Sequence, residues 1–300
     1  MSGPFLALVN PAAGGGRCGK QAGDVLEALR AGGALLQVQE TRYPGHATEL
    51  VREAYRSGYR NFLAVGGDGT SFEIVNGLFP GAELDDPPTL AFLPLGTGNS
   101  FLRDFTKQGP EYALAAFREG RRRPCDIFRL VHAEGVLHYI NLLSMGFTAD
   151  VASLTNRRFK SLGEFGYLLG VLVCLVRLRR RAFPLRINGE EKWDRRRCLF
   201  LTFNNSKFTG GKMMIAPQAD SGDGLVEYVR WGPISRWGLV RNLHRLYDGS
   251  HVKHPLASRR GVRKIEFALD EPVEVMVDGE VLRLRCQTLD VLPAALSVVT

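Results

Sequence analysis

Three segments share one design: an apolar run that ends in glycines and small polar residues. Phe5–Val9 runs into Asn10-Pro11-Ala12-Ala13-Gly14-Gly15-Gly16-Arg17. Phe62–Val65 runs into Gly66-Gly67-Asp68-Gly69-Thr70, and Leu90–Leu93 into Pro94-Leu95-Gly96-Thr97-Gly98-Asn99. Glycine lets a backbone approach a ligand closely, and bare N–H groups at a turn or helix start attract phosphate. In an open parallel sheet such segments fall together beyond the carboxyl ends of the strands, where ligands bind. Asp68 in the middle of one turn would repel phosphate unless a cation lay between them, so the pattern predicts phosphate together with Mg²⁺. No segment carries the Gly-Lys-Ser/Thr of a Walker A loop and none reads as a G-x-G-x-x-G dinucleotide loop, so a nucleotide must be held differently.

The elements that must position these turns alternate over the first 125 residues. Val25–Leu29 has helical character, Leu35–Glu40 reads as a strand, and His46–Ser57 repeats apolar residues at helical spacing. Phe72–Leu78 reads as a helix after the second glycine turn. Strands alternating with helices predict a parallel sheet covered on both faces. From Asp126 onward short strands dominate: Phe128–Val131, Leu137–Leu143, Leu185–Ile187, Cys198–Phe203, Leu225–Val229, Lys264–Leu269 and Val273–Val277. Helical stretches interrupt them near 160–178 and 234–248. The expected fold is therefore α/β plus all-β: a Rossmann-like α/β nucleotide domain over 1–124, then a β-sandwich over 125–300. The last residues are free to return to the first domain.

Charge sharpens this division. The chain of 300 residues has a net charge of +8, yet residues 118–198 alone hold 17 Lys/Arg against 8 Asp/Glu. A basic block on a near-neutral frame suits phosphates or an anionic membrane. Within it, residues 160–181 form an apolar stretch that ends in Arg177, Arg179, Arg180 and Arg181. That arrangement fits a headgroup boundary, and equally a core helix with arginines at its negative end. No run approaches the ~20 apolar residues of a spanning helix. Five scattered cysteines without CxxC spacing argue against a disulfide framework and for a reducing compartment. His251 and His254 have no partners at metal-ligand spacing.

The ordered motifs resemble the diacylglycerol kinase catalytic family, which includes bacterial soluble lipid kinases and the sphingosine and ceramide kinases. The resemblance runs through Asn10-Pro11 and its glycine tail, Thr41 with His46-Ala47, and Gly66-Gly67-Asp68-Gly69-Thr70 with Glu73, Asn76 and Gly77. It continues through Pro94–Asn99, Gly146-Phe147 with Asp150, and Leu162-Gly163 with Tyr167. It closes with Thr209-Gly210-Gly211, Ala216-Pro217, Asp223-Gly224-Leu225 and Val277-Asp278-Gly279-Glu280. The resemblance implies an ATP-dependent lipid kinase with its active site between the two domains. It implies that Asn10, Thr41, Gly67, Asp68, Gly69, Thr70, Glu73 and Thr97 contact ATP or its metal. It further implies that Glu280 is a proton acceptor, that Asp220, Asp223 and the Leu225 carbonyl hold a structural Mg²⁺, and that Asp150 lies where sphingosine kinases bind an amino-alcohol headgroup. Three glycines stand in the first loop where many relatives have Ser-Gly, which removes a side-chain phosphate contact.

These roles agree with elementary chemistry. Phosphoryl transfer needs positioning and charge neutralisation, and a lipid hydroxyl is a poor nucleophile until a carboxylate takes its proton. Asp68 and Glu280, both on glycine-flanked turns, suit the metal and the proton, and either could be the acceptor. On residues alone Asp278-Gly279 is also a plain hairpin turn, and Asp150 a strand-end or helix-cap aspartate. The expected partner is a lipid at an anionic membrane surface, with no nucleic acid, no spanning helix and a homodimer left open. The expected location is cytoplasmic with peripheral membrane association. The alternative is an NAD kinase-like phosphotransferase, which shares the GGDG turn; the Asn-Glu pair expected there after the third motif is absent, since Asn99-Ser100 and Asn204-Asn205-Ser206 do not supply it.

Overall fold

The computed structural model describes residues 3–83, 86–106, 109–155, 158, 163–210 and 212–300, and side chains of residues 163–168 are not described. Leu162 and Gly211 therefore lie outside the described residues, and the Tyr167 side chain is not described either.

The N-terminal half alternates as the pattern demands. Strand β1 (Phe5–Val9) is followed by α1 (Arg17–Ala31), β2 (Leu36–Glu40), α2 (His46–Arg56), β3 (Asn61–Gly66), α3 (Asp68–Leu78) and β4 (Thr89–Pro94). The strands lie parallel in the order β2-β1-β3-β4. All five residues of β1 are buried, because helices cover both faces and leave no place for alternation. Helix α4 (Pro110–Glu119) starts with proline at its first turn and stops at Gly120, whose φ of 63° only glycine adopts cheaply. The expected helix at Phe72 instead begins at Asp68. Gly67 stays extended and its carbonyl accepts the Thr70 N–H at 3.0 Å, so the second glycine turn is a helix start rather than a loop.

The second half contains β5 (Arg122–His132), β6 (Gly135–Tyr139), β7 (Leu142–Gly146), α5 (Phe147–Leu154), α6 (Gly163–Val176), β8 (Arg181–Ala182) and β9 (Leu185–Ile187). It continues with β10 (Arg197–Cys198), β11 (Phe200–Asn204), β12 (Phe208–Thr209), β13 (Met213–Met214), β14 (Val226–Trp231), α7 (Arg236–Asn242) and α8 (Arg245–Asp248). It ends with β15 (Ala257–Val262), β16 (Lys264–Phe267), β17 (Val273–Val277), β18 (Glu280–Leu284) and β19 (Cys286–Val299). Six strands form an antiparallel sheet in the order β15-β14-β11-β7-β17-β18. Phe128, Tyr139, Phe203, Tyr228 and Leu289 fill the core between this sheet and the other, each large side chain contributing roughly 2 kcal/mol by leaving water.

Strand β19 joins the two halves. Its end, Ser297–Val299, pairs parallel with Thr89–Ala91 of β4, while the same strand pairs antiparallel with β5 and β16. One nine-stranded sheet therefore runs from the α/β half into the sandwich. The expected single strand Leu137–Leu143 is split, because β6 belongs to the first sheet and β7 to the second. The crossing at Ile140–Asn141 survives burial because its N–H groups are bonded to the Asp278 carboxylate, from the turn after β17. Helix α5, which carries Asp150, was not expected from the sequence.

Candidate active site

Because β1, β3 and β4 are neighbours, the three glycine turns meet at one rim. A Cβ on Gly96 would lie 2.4 Å from the Gly67 Cα, and one on Gly14 would lie 2.6 Å from the Leu95 carbonyl oxygen. Asn10 spans the first two turns: its Nδ2 donates to the Thr70 Oγ1 at 3.4 Å, and its Oδ1 accepts the Ala12 N–H at 3.1 Å. The backbone at Gly15 and Gly16 has φ of +68° and +87°, and a Cβ at either would meet nothing within 4 Å. Helix α1 starts there with neither a side-chain cap nor an acidic residue in its first turn. This open, left-handed, donor-bearing turn fits phosphate oxygens. Gly14, Gly16 and Gly19 do stand at the G-x-G-x-x-G spacing of phosphate-binding turns, which corrects the expectation that no such loop is present.

Asp68 opens α3, where the helix dipole favours a carboxylate. Its two oxygens accept the Ser100 N–H at 2.8 and 3.0 Å, which ties the second turn to the third. Burial raises its pKa, opposed by the N–H groups of Ser100 and Phe101 and by the Arg103 charge. Glu280 opens β18, just past the turn. Its Oε1 lies 2.9 Å from the place a Cβ on Gly69 would take, so the hairpin of the sandwich closes over the glycine turn of the α/β half. Glu280 thus lies over the residue that follows Asp68, while the Asp68 carboxylate is turned to the third glycine turn.

The hairpin is aimed by Asp278, a residue the sequence showed only as half of a turn. Asp278 and Gly279 both have positive φ, 48° and 93°, which gives the twist a two-residue hairpin needs. The Asp278 carboxylate is 2 % exposed and accepts N–H groups of Ile140, Asn141 and Leu142, each at 2.9 Å. Burial, with the Asp68 charge adding to it, pushes its pKa up to about 7 against the pull of those N–H groups. In a sequence, an aspartate beside glycine looks the same whether its carboxylate is solvated or spent on a buried crossing, so this role was not legible there.

Glu73 points elsewhere. Its carboxylate accepts the N–H groups of Gly45 and Ala47 at 2.9 and 3.0 Å, so it caps α2 and fixes the segment after Thr41. Thr41 itself donates its N–H to the Val9 carbonyl at 2.8 Å and is half-buried, and Thr97 is exposed at the tip of the third turn. Asn76 bonds the Phe72 and His138 carbonyls and the His138 N–H, fastening α3 to β6. Asp150, in the first turn of α5, accepts an N–H of Arg181 at 2.8 Å.

Asp220 and Asp223 are exposed on the turn before β14, with the Leu225 N–H donated to Asp223 at 2.9 Å. Two unexpected carboxylates stand beside them. Asp126 accepts N–H groups of Gly224 and Ala294 at 2.7 and 2.8 Å, and Asp104 accepts the Lys207 N–H at 3.0 Å. Burial, and to a smaller degree the Asp220 charge, raises Asp126 and brings Asp104 up to about 6. This concentration of negative charge suits a hard cation, although no group of three or more His, Cys, Asp or Glu side chains among the described residues forms a metal cage. Mg²⁺ commonly takes only one or two carboxylates beside carbonyl, water or phosphate oxygens, so the donors fit.

Of the arginines in the basic block, Arg181 is paired with Asp150, Arg180 donates to the Ile234 carbonyl and Arg121 is paired with Glu119. No helix among the described residues is long and apolar enough to cross a membrane. All five cysteines are free.

Two family models match the chain: the diacylglycerol kinase catalytic domain over residues 4–130, and the YegS C-terminal NAD kinase beta sandwich-like domain over residues 141–300. A protein of Pseudomonas aeruginosa strain PAO1 named probable lipid kinase YegS-like is 32% identical over 287 residues, covering 93% of this chain and 91% of the relative. A protein of Mycobacterium tuberculosis named diacylglycerol kinase is 28% identical over 300 residues, covering 99% and 94%. The crystal structure of a putative diacylglycerol kinase from Bacillus anthracis superposes with a TM-score of 0.78 at 22% identity, covering 99% of this chain and 94% of that one.

Proposed function

The chain belongs to the diacylglycerol kinase catalytic family, and from that premise we propose that it transfers the γ-phosphate of ATP, with Mg²⁺, to a hydroxyl of a lipid, either diacylglycerol or a sphingoid or ceramide-type alcohol. The observation that carries this reading is the placement of the Glu280 carboxylate over Gly69, beside Asp68 and the phosphate-fitting turns. MgATP supplies the electrophilic phosphoryl group and neutralises its charge. The chain's own residues do the rest. The bare backbone at Gly15, Gly67 and Gly69 receives phosphate oxygens, while Asn10, Thr41, Thr70 and Thr97 border the same rim. Glu73 acts on that rim indirectly, by holding the segment from Thr41 to Ala47.

Asp68 faces the metal and phosphates, and Glu280 accepts the proton of the attacking hydroxyl. Both are carboxylates at one cleft between an α/β half and a sandwich half, so an alcohol entering from the sandwich side meets the phosphoryl group from the other. Asp220, Asp223 and the Leu225 carbonyl would hold a second, structural Mg²⁺, whose charge would also offset the carboxylates at Asp126 and Asp104. The enzyme works from the cytoplasmic side at an anionic membrane surface, to which its net charge of +8 draws it. Asp150 is assigned to position α5 through Arg181 rather than to bind an amine, since its near oxygen already holds a guanidinium.

The test is incubation of the purified chain with labelled ATP, Mg²⁺ and diacylglycerol, ceramide, sphingosine or phosphatidylglycerol, with NAD as a further acceptor. Label in a lipid that depends on Mg²⁺ supports the proposal. Label in NAD alone replaces it by the NAD kinase reading.

A further inference from the structure

The edge of the sandwich remote from Glu280 contains a cavity that the kinase reading does not use. Hairpin β17–β18 closes one edge of the second sheet, and β15 and β14 form the other. There β9, the bend that succeeds it, β14 and β15 enclose about 360 Å³. The lining carries Arg186, Lys192, Arg195, Arg196 and Arg260 against only Glu190 and Asp194. Asp194 is already held by the Arg196 guanidinium at 2.6 and 2.9 Å, and Glu190 by Arg260 at 2.8 Å. Lys192 and Arg195 have no ion pair among the described residues, so positive charge is left over. Trp193 forms a flat wall, with the Arg186 guanidinium 5.1 Å from its ring centre.

Two polar groups in the lining are orphaned. Tyr228 is 2 % exposed, and its buried hydroxyl makes no hydrogen bond; the Ser258 hydroxyl is likewise buried and unpartnered. A buried hydroxyl without a partner costs about 1–3 kcal/mol, so an acceptor from outside the chain would relieve it. A second cavity of about 430 Å³ shares Arg196 and Ser258 with the first and adds Arg197 and Arg230 beside Pro233, Pro255 and Leu256. Cations therefore line both cavities, and with the two hydroxyl groups they describe a site for an anion.

We propose that this groove is a second binding site, separate from the phosphoryl-transfer cleft, for a phosphate-bearing anion. Tyr228 and Ser258 donate to its oxygens, and the unpaired cations neutralise it. Guanidinium and ammonium groups bind such oxygens with charge-assisted hydrogen bonds, about twice as strong as neutral ones.

Calorimetric titration of the full chain with inorganic phosphate, with short-chain phosphatidylglycerol below its micelle concentration, and with short-chain phosphatidylcholine tests the proposal without reading kinase turnover. Tyr228→Phe removes only the orphaned hydroxyl and is expected to leave the thermal midpoint unchanged or higher. It should weaken phosphatidylglycerol binding about fivefold, and Lys192→Ser with Arg195→Ser about tenfold or more, of the order lost with single charge-assisted contacts. Equal losses for inorganic phosphate assign the site to phosphate itself; a loss for phosphatidylglycerol alone assigns it to the lipid headgroup. Absence of binding by either anion, affinities unchanged in both variants, or phosphatidylcholine binding as tightly as phosphatidylglycerol overturns it.

Discussion

The Glu280 carboxylate occupies the space that a side chain on Gly69 would fill, with Oε1 2.9 Å from that missing Cβ. Gly69 lies in the first turn of α3 and has no left-handed φ, so its backbone accepts alanine. Within a helix alanine is favoured over glycine by about 1 kcal/mol. Gly69→Ala should therefore keep or raise the thermal midpoint while pushing Glu280 out of position. Lipid phosphorylation should fall about 10²-fold, the usual range for losing a positioned general base. Thermal melting and initial rates check this, and full turnover in the variant would remove the contact from the mechanism.

Glu280→Gln and Asp68→Asn separate the two carboxylates. Glutamine keeps the shape of Glu280 but cannot accept a proton, so kcat should drop about 10²-fold or more with the KM for ATP nearly unchanged. Asparagine at Asp68 keeps one oxygen for the Ser100 N–H but loses the charge proposed to face the metal. Here the Mg²⁺ concentration needed for half-maximal rate should rise, and kcat should fall about 10²–10³-fold. A Mg²⁺ dependence identical to that of the parent enzyme would acquit Asp68.

Gly96→Ala probes the junction of the second and third turns. The new Cβ would lie 2.4 Å from the Gly67 Cα and 2.9 Å from its nitrogen, a clash with backbone that no rotamer can avoid. The two turns must separate, so the KM for ATP should rise about tenfold or more, as expected when a small misplacement disturbs binding and transfer geometry. The thermal midpoint should fall as well. Normal ATP affinity would mean that the two turns do not share the nucleotide.

Much of this site is legible in the sequence because its information is local. An apolar run ending in glycine announces a buried parallel strand and a tight turn, and three such runs at βα spacing place their turns on one rim. Val273–Val277 and Leu185–Ile187 were readable to the residue for the same reason. What resisted reading depends on distant partners. The start of α3 moved four residues because Gly67 can cap a helix as readily as prolong a loop. The strand through 137–143 broke because the Asp278 carboxylate, 138 residues from Ile140, satisfies a backbone crossing between two sheets. Glu73 matched a nucleotide motif by position, yet its oxygens are bonded to α2. Asp126 stood unremarked in an apolar run, although an aspartate between Cys125 and Ile127 must be buried and must find donors.

Asp150 offers a sharper test of its pairing than of its headgroup role. Both it and Arg181 retain part of their exposure, 20% and 34%, so the ion pair contributes no more than about 1 kcal/mol. Asp150→Ala should lower stability by that amount at most. With Arg181 occupying the carboxylate, rates with sphingosine and diacylglycerol should fall by the same factor. A selective loss with sphingosine would return Asp150 to the substrate site.

Asp278 links stability to pH in a direction opposite to that of an ordinary salt-bridged aspartate. Its folded pKa is pushed up to about 7 from 3.8, chiefly by burial. Between those values the folded chain binds a proton that the unfolded chain has already released, so this residue makes stability fall as pH rises toward 7 and leaves it level above. Asp278→Asn abolishes that contribution while putting an amide with one acceptor oxygen where three N–H groups converge. The variant should be less stable at every pH, with a thermal midpoint several degrees lower. The gap should be widest near pH 4–5 and narrow toward pH 8, where the parent bears the cost of a buried charge close to Asp68. Denaturation curves at pH 4.5, 6 and 8 measure the gap directly. A gap that widens toward pH 8 would show that Asp278 is held ionised by its three donors, with the folded pKa below the unfolded one.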